Sequence, residues 1–408
     1  MVFKLLKPKR KLKLATQLAA AAPRTRVIYV STYPPRECGI ATFTRALTKA
    51  INVLNPLYLA DIVAIDDEKS GGERQQYPWE VKYKIDQDDL RSWINAADYI
   101  NQSSADVVML QHEFGVYGGK QGEYVLPFIE RIKNPIVVCM HTVLKEPEPK
   151  MCETVQRISE RSSAIVVIVN AAGERLVGHY NIDPDKIVVI PHGVPDIPYG
   201  PSAPHKEKLR LNGWTVISSF GLFSRSKGYE YAIEAMRSVV KKHPRTKLLL
   251  LGETHPVVRR QEGEKYRQDL KRLIAKYGLE SNVEFVNRYL SIGEIVNYLQ
   301  ATDVYVTPYP NLDQVSSGTL SYAVSAGRPC ISTPYVYAKE VLSHHRGLIC
   351  EPLDSDDLAE KINYLLDNPK VAEEISKKAY TYGRNMIWPS VALRHLDLFE
   401  IVASEYER

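Results

Sequence analysis

The chain has 408 residues, of which 44% are hydrophobic and 25% are charged, a composition typical of a globular protein with about two domains. No run of about 18 apolar residues occurs, which excludes a membrane-spanning helix. The formal net charge is +5, but residues 1–26 carry eight cations and no acid, so residues 27–408 have a net charge of −3. Five dispersed cysteines without a CxxC pair exclude a disulfide scaffold and favour a reducing, cytoplasmic setting.

Residues 1–26 (MVFKLLKPKRKLKLATQLAAAAPRTR) are a basic N-terminal extension. We expect it not to act as a secretory signal, because it lacks a continuous apolar core of about 7 to 15 residues. A solvated, disordered extension and contact with an anionic membrane surface are the two main interpretations. Nucleic acid is not a predicted partner, because basic and aromatic residues are not interleaved elsewhere in the chain.

From Val27 onward, short β-branched runs alternate with longer segments of helical period, which predicts parallel sheets with crossover helices. One series comprises VIYVSTY, IVAI, VVMLQH, IVVCMH, AIVVIVN and KIVVIPHG, and a second comprises TVISSFG, TKLLLLG, VEFVNRY, VYVTPY, PCISTP and GLIC. The predicted fold class is therefore α/β, with two Rossmann-like domains in tandem. The predicted parts are an N-terminal domain over 27–195, a proline-rich linker over 196–213, a C-terminal domain over 214–385, and a terminal helix over 386–408 that can pack back on the N-terminal domain.

Ligands of open α/β sheets bind at the carboxyl ends of the strands, so residues that end the predicted strands are candidate site residues. In the first domain these include Gly39, in the loop after the first strand, and three histidines at later strand ends: His112, His141 and His192. We expect His112 to contact a polar ligand and the other two histidines to be structural. No metal site is predicted, because no carboxylate or cysteine accompanies the histidines at a metal-binding spacing.

The loop TYPPRECGIATF places Gly39 at a helix start, where backbone N–H groups favour phosphate oxygens. It is a candidate anion site. It is not the dinucleotide fingerprint, because GxGxxG needs three glycines, and the chain contains no GxxxxGK[ST] P-loop. Dehydrogenase and P-loop nucleotidase functions are therefore disfavoured.

Two segments of the second domain are further candidate phosphate sites. In SSFGLFSRSKG, Gly221 ends a strand and Lys227 lies at the next helix start, where an ammonium group suits a diphosphate. In DQVSSGTLSYAVSAG, small hydroxyl residues and Gly318 precede an apolar helix and expose successive backbone N–H groups. A surface loop with a chance lysine and a well-capped helix are the alternative interpretations.

Four motifs in this order resemble those of glycosyltransferase family 4, the retaining nucleotide-sugar transferases, and the resemblance runs over about 27–400. They are YPPRECGIATF, LQHEFG, GLFSRSKG, which is similar to the family's G-R-L-x-x-x-K-G loop, and DQVSSGTLSYAVSAG, which is similar to its E-x7-E segment. The resemblance implies the GT-B fold, in which two Rossmann-like domains face each other across a cleft.

The resemblance also implies transfer of a hexosyl group from UDP- or GDP-hexose to a saccharide, glycolipid or glycoconjugate, as in polysaccharide biosynthesis. It implies no metal and no cofactor. The predicted location is cytoplasmic from the cysteine usage, and the basic extension leaves open a peripheral position at the inner face of the membrane. The implied catalytic residues are His112, Lys227, Asp313 and Gln314. The implied donor-binding residues are Gly39, Gly221, Ser224, Arg225, Lys227, Asn287, Arg288, Ser316, Ser317, Gly318, Thr319 and Tyr322.

Two positions depart from the family pattern. Leu222 stands where the loop has its arginine, and Tyr322 stands at the second glutamate of the E-x7-E segment, with Gln314 at the first. Because Lys227, Gly318 and His112 persist, we favour an active enzyme with altered donor contacts over a non-catalytic nucleotide-sugar-binding protein at a membrane surface. Two other GT-B enzymes stay open: a nucleotide-sugar epimerase, which needs catalytic carboxylates, and a phosphorylase, which needs a lysine-bound pyridoxal cofactor.

Overall fold

The computed structural model of the protein describes residues 25–67 and 76–406, so most of the basic extension lies outside the described residues. Two parallel sheets flanked by helices are present, which confirms the predicted α/β class. None of the helices in the described ranges has the length and apolar character that a bilayer-spanning helix requires.

The first sheet has seven strands, and its central strands are short runs of buried β-branched residues. They are β1 (Val27–Ser31), β2 (Asp61–Asp66), β3 (Val81–Asp86), β4 (Val107–His112), β5 (Ile136–Met140), β6 (Ala164–Val167) and β7 (Ile187–Val189). Their order is β3-β2-β1-β4-β5-β6-β7, and β1 pairs in parallel with both β2 and β4. The helices between them are α1 (Gly39–Leu54), α2 (Leu90–Gln102), α3 (Val125–Arg131), α4 (Pro149–Arg161) and α5 (Asn170–Tyr180).

Sequence periodicity missed the edge strand β3. Its sequence VKYKID alternates exposed lysines with less exposed residues, so it lacks the continuous apolar run of a central strand. Lysines on an edge strand prevent unwanted pairing with another chain. The exposed Lys82 and Lys84 are therefore consistent with the position of β3 at the end of the sheet.

The second sheet has six strands in the order β10-β9-β8-β11-β12-β13, and its strands are β8 (Thr215–Phe220), β9 (Thr246–Leu251), β10 (Val283–Val286), β11 (Val304–Thr307), β12 (Cys330–Ser332) and β13 (Leu348–Ile349). Helix α6 (Ala203–Lys208) lies within the predicted linker. The helices that follow are α7 (Tyr229–Lys242), α8 (Pro256–Glu262), α9 (Lys265–Tyr277), α10 (Ile292–Ala301), α11 (Gly318–Ser325), α12 (Val336–Val341), α13 (Ser355–Asp367), α14 (Pro369–Gly383) and α15 (Trp388–Tyr406).

A single apolar core joins the second sheet to its helices. Ile217 of β8 and Leu250 of β9 are completely buried with Ile233 and Met236 of α7, and Leu358 of α13 belongs to the same cluster. Each such side chain contributes about 1.5 to 3 kcal/mol to folding. Because β8 and β11 are parallel neighbours, this core holds their carboxyl ends, and the loops that follow them, side by side.

The described residues divide into two compact units. Unit 1 contains those within Met1–Cys139, Arg157–Ile165 and Ala392–Arg408, and unit 2 contains Met140–Gln156 and Val166–Val391. Within unit 1, the ring of Phe399 in α15 packs edge-on against Tyr29 of β1, with ring centroids 6.2 Å apart.

Candidate functional site

Helix α11 begins with small residues that leave its first turn accessible. Ser317 is the N-cap, and its Oγ accepts a hydrogen bond from the backbone N–H of Leu320 at 3.4 Å. The backbone N–H groups of Gly318 and Thr319 lie ahead of any carbonyl of the same helix that could accept from them. The start of α11 is therefore an anion-binding position by geometry and by helix dipole.

Lys227 lies at this helix start and is held by an aromatic ring. Its Nζ lies 4.3 Å from the ring centroid of Tyr309, a cation–π contact. The Tyr309 hydroxyl lies 2.9 Å from Oγ1 of Thr319, in the first turn of α11. Tyr309, which follows β11, thus joins the ammonium group to the helix terminus.

Gly221 lines the same space from the end of β8. It has φ +145°, and a Cβ at this position would lie 3.6 Å from Cγ2 of Thr319 and 3.8 Å from Cε of Lys227. Any side chain would occupy the volume between these two residues, so glycine keeps it open. The structure therefore brings together Gly221, Lys227, Ser317, Gly318 and Thr319, as the sequence predicted.

The loop that carries Lys227 is fixed by a second glycine. Gly228 adopts φ +61° immediately before α7, and a Cβ there would lie 2.1 Å from the backbone oxygen of Pro308. The lysine loop therefore packs directly on the segment that follows β11. This contact explains why residues about 80 positions apart in sequence form one site.

His192 also contacts this helix start. A Cβ on Gly318 would lie 3.2 Å from its Nε2, and its Nδ1 lies 2.8 Å from the carbonyl oxygen of Gly193, to which it donates. Burial lowers the pKa of His192 to about 4, so its imidazole is neutral at pH 7. The sequence placed His192 at a strand end, and the structure adds the contact with Gly318.

Asp313 and Gln314 lie in the loop that leads into α11, and Arg175 of α5 holds this loop. The Arg175 guanidinium donates to Oδ1 of Asp313 at 3.1 Å, to its backbone oxygen at 3.0 Å, and to the backbone oxygen of Val143 at 2.9 Å. The Arg175 side chain is 11% exposed, whereas that of Asp313 is 57% exposed. No local sequence pattern indicates this contact, because the two residues are 138 positions apart.

The remaining residues of the loop are anchored by backbone contacts. Nε2 of Gln314 donates to the backbone oxygen of Ser316 at 2.6 Å, which directs this amide along its own loop. Oγ of Ser316 donates to the backbone oxygen of His141 at 3.0 Å. His141 thus contributes through its backbone to the position of the loop.

The two departures from the family pattern have clear surroundings. Arg225 is the arginine nearest to Leu222 in the sequence. Its guanidinium donates to Oδ2 of Asp269 at 2.9 Å and lies over the ring of Tyr266. Tyr322 is buried in α11 with its ring against Phe220, and burial raises its pKa to about 12. Tyr322 therefore presents a neutral phenol at the position where the family has a carboxylate.

Of the other predicted donor residues of unit 2, Asn287 and Arg288 are exposed and Ser224 is partly buried. Arg288 forms an ion pair with Glu294 at 2.6 Å, and Asn287 beside it is exposed. Oγ of Ser224 lies 2.7 Å from Oγ of Ser226 in the lysine loop. The backbone oxygen of Ser224 accepts from the backbone N–H of Lys227 at 3.0 Å, whereas the Arg288–Glu294 ion pair does not involve Lys227 or α11.

Two predicted residues belong to unit 1. His112 ends β4, completely buried, with its ring against Phe114 and Tyr117. Neither of its ring nitrogens has a hydrogen-bond partner among the described residues, and burial lowers its pKa to about 4. Gly39 is the exposed first residue of α1, and a Cβ added at this residue would have no atom within 4 Å.

Metal ligands are not gathered anywhere in the part of the chain that the structure describes. No group of three or more His, Cys, Asp or Glu side chains comes together within 25–67 and 76–406. The Lys227 ammonium lies at the start of α11, and the Arg175 guanidinium contacts the loop before it.

Comparison with known proteins identifies the family. A model described as Glycosyl transferases group 1 matches residues 203–382, and one described as Glycosyltransferase Family 4 matches residues 58–196. The chain belongs to the GT-B glycosyltransferases. A similar relative of this glycosyltransferase is a D-inositol 3-phosphate glycosyltransferase of Arthrobacter sp. (strain FB24), 24% identical over 290 residues. The match covers 67% of this chain and 66% of that protein, just under two thirds of its length.

Solved structures share the fold of this GT-B glycosyltransferase over nearly its whole length. Sucrose-phosphate synthase from Thermosynechococcus elongatus has a TM-score of 0.75 at 16% identity, covering 93% of this chain and 100% of that chain. Anabaena HepE, in complex with UDP and glucose, has a TM-score of 0.73 at 15% identity, covering 92% of this chain and 99% of that chain. At these identities the likeness establishes the fold.

Proposed function

We propose that this glycosyltransferase transfers a hexosyl group, with retention of configuration, from a UDP- or GDP-hexose to a saccharide, glycolipid or glycoconjugate acceptor. The observation that supports this function most directly is the convergence of the Lys227 ammonium with the first turn of α11 around Gly221. A cation beside free helix N–H groups is complementary to a diphosphate.

The proposed chemistry depends on charge that develops at the leaving group. As the bond from the anomeric carbon to the diphosphate breaks, negative charge grows on the leaving oxygen. Lys227 and the N–H groups of Gly318 and Thr319 are fixed donors for this charge, and such donors commonly supply about 3 to 4 kcal/mol each. Tyr309 keeps the ammonium in place, because its ring contacts Nζ and its hydroxyl contacts Thr319.

We propose that the sugar is held by the loop before α11, and that His112, at the end of β4 in unit 1, contacts a polar ligand. Because Nε2 of Gln314 donates to Ser316, its carbonyl oxygen remains to accept from a sugar hydroxyl. Arg175 fixes the backbone of Asp313 next to it, so Arg175 acts as a positioning residue. A neutral His112 offers one ring N–H donor and one nitrogen acceptor to hydroxyl groups.

In the proposed reaction, the acceptor hydroxyl attacks the anomeric carbon on the face from which the diphosphate leaves. The bond to the acceptor oxygen forms, the bond to the diphosphate oxygen breaks, and the hydroxyl proton passes to a phosphate oxygen. Because the chain itself supplies the phosphate counter-charge, we propose that neither a metal nor a cofactor is required.

A nucleotide-sugar-binding protein without turnover is the second candidate. The buried phenol of Tyr322 at a carboxylate position favours it, and so does the engagement of Arg225 by Asp269. Both features remove polar or charged contacts that a donor would otherwise receive. Binding without product formation distinguishes this candidate from the transferase.

The experiment measures the thermal stability of the protein with UDP, GDP, ADP and their hexose conjugates, with and without chelator, followed by product formation from the stabilising conjugate. A ligand at 100 times its Kd adds about 2.7 kcal/mol to the stability. A chelator-insensitive shift with product formation supports the transferase. A shift without product supports the binding protein, and no shift from any ligand contradicts both.

A further inference from the structure

Helix α5 is capped at its N-terminus by a carboxylate that lies 170 positions later in the chain. Oε1 of Glu340 accepts from the backbone N–H of Asn170 at 3.0 Å and from its Nδ2 at 2.8 Å, and Oε2 accepts from the backbone N–H of Ala171 at 3.1 Å. The residue at the N-cap position is Val169, and a valine side chain has no oxygen with which to cap a helix. Half-buried Glu340 therefore supplies the cap, and its negative charge lies at the positive end of the helix dipole.

The same helix carries Arg175, which holds the loop before α11. Ala171 and Arg175 are four residues apart in α5 and therefore lie on the same face of the helix. The Arg175 guanidinium donates to the backbone oxygen and to Oδ1 of Asp313. Because Glu340 fixes the first turn of α5, it also fixes the position from which Arg175 reaches the loop.

Glu340 belongs to α12, and α12 holds the same loop from its other side. The backbone N–H of Val336 donates to the backbone oxygen of Leu312 at 3.1 Å, and the backbone N–H of Tyr337 donates to that of Gln314 at 3.0 Å. The loop before α11 is thus held between α5 and α12. Glu340 joins these two helices to each other and closes the ring of contacts.

We propose that Glu340 is a positioning residue for the hexose, because it fixes the Asp313 loop through α5 and Arg175 in the geometry that accepts the sugar hydroxyls. This inference rests on the proposed role of that loop in sugar binding. The diphosphate site does not depend on these contacts, because Lys227 is held by Tyr309 and the N–H groups that face the phosphates belong to α11. Loss of the Glu340 carboxylate is therefore expected to weaken the contacts with the sugar and to preserve those with the diphosphate.

A purely structural helix cap is the alternative role of Glu340, and one further substitution separates the two roles. Val169 has the extended backbone, with φ −142°, that N-cap residues adopt, so Val169→Thr places a capping oxygen there with little change in volume. In Val169→Thr/Glu340→Ala we expect the Tm to recover most of the loss caused by Glu340→Ala, because α5 is capped again. The connection between α5 and α12 stays broken in this double variant.

The test uses the full chain and isothermal titration calorimetry with UDP and UDP-glucose, and with GDP and GDP-mannose. The quantity compared is the ratio of the Kd of the free diphosphate to the Kd of its hexose conjugate, which isolates the contribution of the sugar. In Glu340→Ala we expect this ratio to fall about fivefold, as for the loss of one hydrogen bond, with the Kd of the free diphosphate changed less than about twofold. Val169→Thr/Glu340→Ala is expected to show the same reduced ratio. The matched control is Glu174→Ala, which removes an exposed carboxylate from α5 and is expected to keep the ratio of the unchanged protein.

A second comparison tests whether Glu340 acts through Arg175. Arg175→Ala is expected to lower the ratio at least as much as Glu340→Ala does, and the Arg175→Ala/Glu340→Ala variant is expected to lower it no further than Arg175→Ala alone. A further decrease in this double variant overturns the inference.

Two other outcomes overturn the inference and leave the proposed function intact. One is an unchanged ratio in Glu340→Ala. The other is recovery of the ratio together with the Tm in Val169→Thr/Glu340→Ala, which reduces Glu340 to a helix cap. If the unchanged protein binds none of these nucleotides, the proposed function itself is contradicted and this inference fails with it.

Discussion

Replacing Lys227 with alanine removes the ammonium group that we propose to stabilise the leaving diphosphate. For one developing charge about 4 Å from Nζ, the Coulomb interaction at an effective dielectric constant of about 20 is about 4 kcal/mol. Lys227 is half-buried, so solvent reduces this value, and we expect a loss of about 3 kcal/mol of transition-state stabilisation. This corresponds to a decrease of about two orders of magnitude in kcat.

The assay is initial-rate transfer from the donor that stabilises the protein, with Tm measured in parallel. The matched control is Lys247→Ala, because Nζ of Lys247 also lies over an aromatic ring, 5.0 Å from the centroid of Trp214, at the amino end of β9. We expect the control to keep its transfer rate. A Lys227→Ala protein that folds and retains the full kcat refutes the assignment of charge stabilisation to Lys227.

Three further substitutions test individual contacts and one buried histidine of the fold. Gly228→Ala is expected to lower the free energy of unfolding by about 3 kcal/mol or more in urea titrations, because it adds a backbone clash to a positive φ. Glu340→Ala is expected to lower it by about 1 kcal/mol, because the Glu340 carboxylate accepts from the backbone N–H groups of Asn170 and Ala171 at the start of α5. The free energy of unfolding of the unchanged protein is expected to fall as the pH decreases from about 6.5 to about 4. In His112→Gln, the slope of this decrease is expected to be smaller by about 1 kcal/mol per pH unit. The reason is that the unfolded imidazole binds a proton in this window, whereas the folded one, with a pKa of about 4, does not.

Each of these predictions has a matched control. Gly263 has φ +62° but no atom within 4 Å of its Cβ position, so Gly263→Ala is expected to cost only about 1 kcal/mol. Glu360→Ala removes an exposed carboxylate from the middle of α13, and we expect a smaller decrease in the free energy of unfolding than for Glu340→Ala. His179→Gln changes an exposed histidine and is the matched control for the buried His112. If a control variant shows as large an effect as its test variant, the explanation given for the test variant is contradicted.

The fold class was predictable because each central strand is a short run of buried apolar residues, most of them β-branched, and the helices between them have an apolar period of their own. The same reasoning missed β3, where exposed Lys82 and Lys84 interrupt the apolar pattern. An edge strand is specified by its pairing with one neighbour, and hydrogen bonds of this kind leave no periodic signal in the sequence.

The sequence by itself determined the α/β class, the ends of the central strands, and the positions of the candidate site residues on the loops that follow them. Strand ends and glycine positions depend on local backbone geometry, which a local pattern encodes. Only the tertiary structure decided that Tyr309 holds Lys227 beside Thr319, that Arg175 holds the Asp313 loop, and that Arg225 is engaged by Asp269. Arg175 and Asp313 are 138 positions apart and Arg225 and Asp269 are 44 apart, and such contacts form only when packing of the core brings distant loops together.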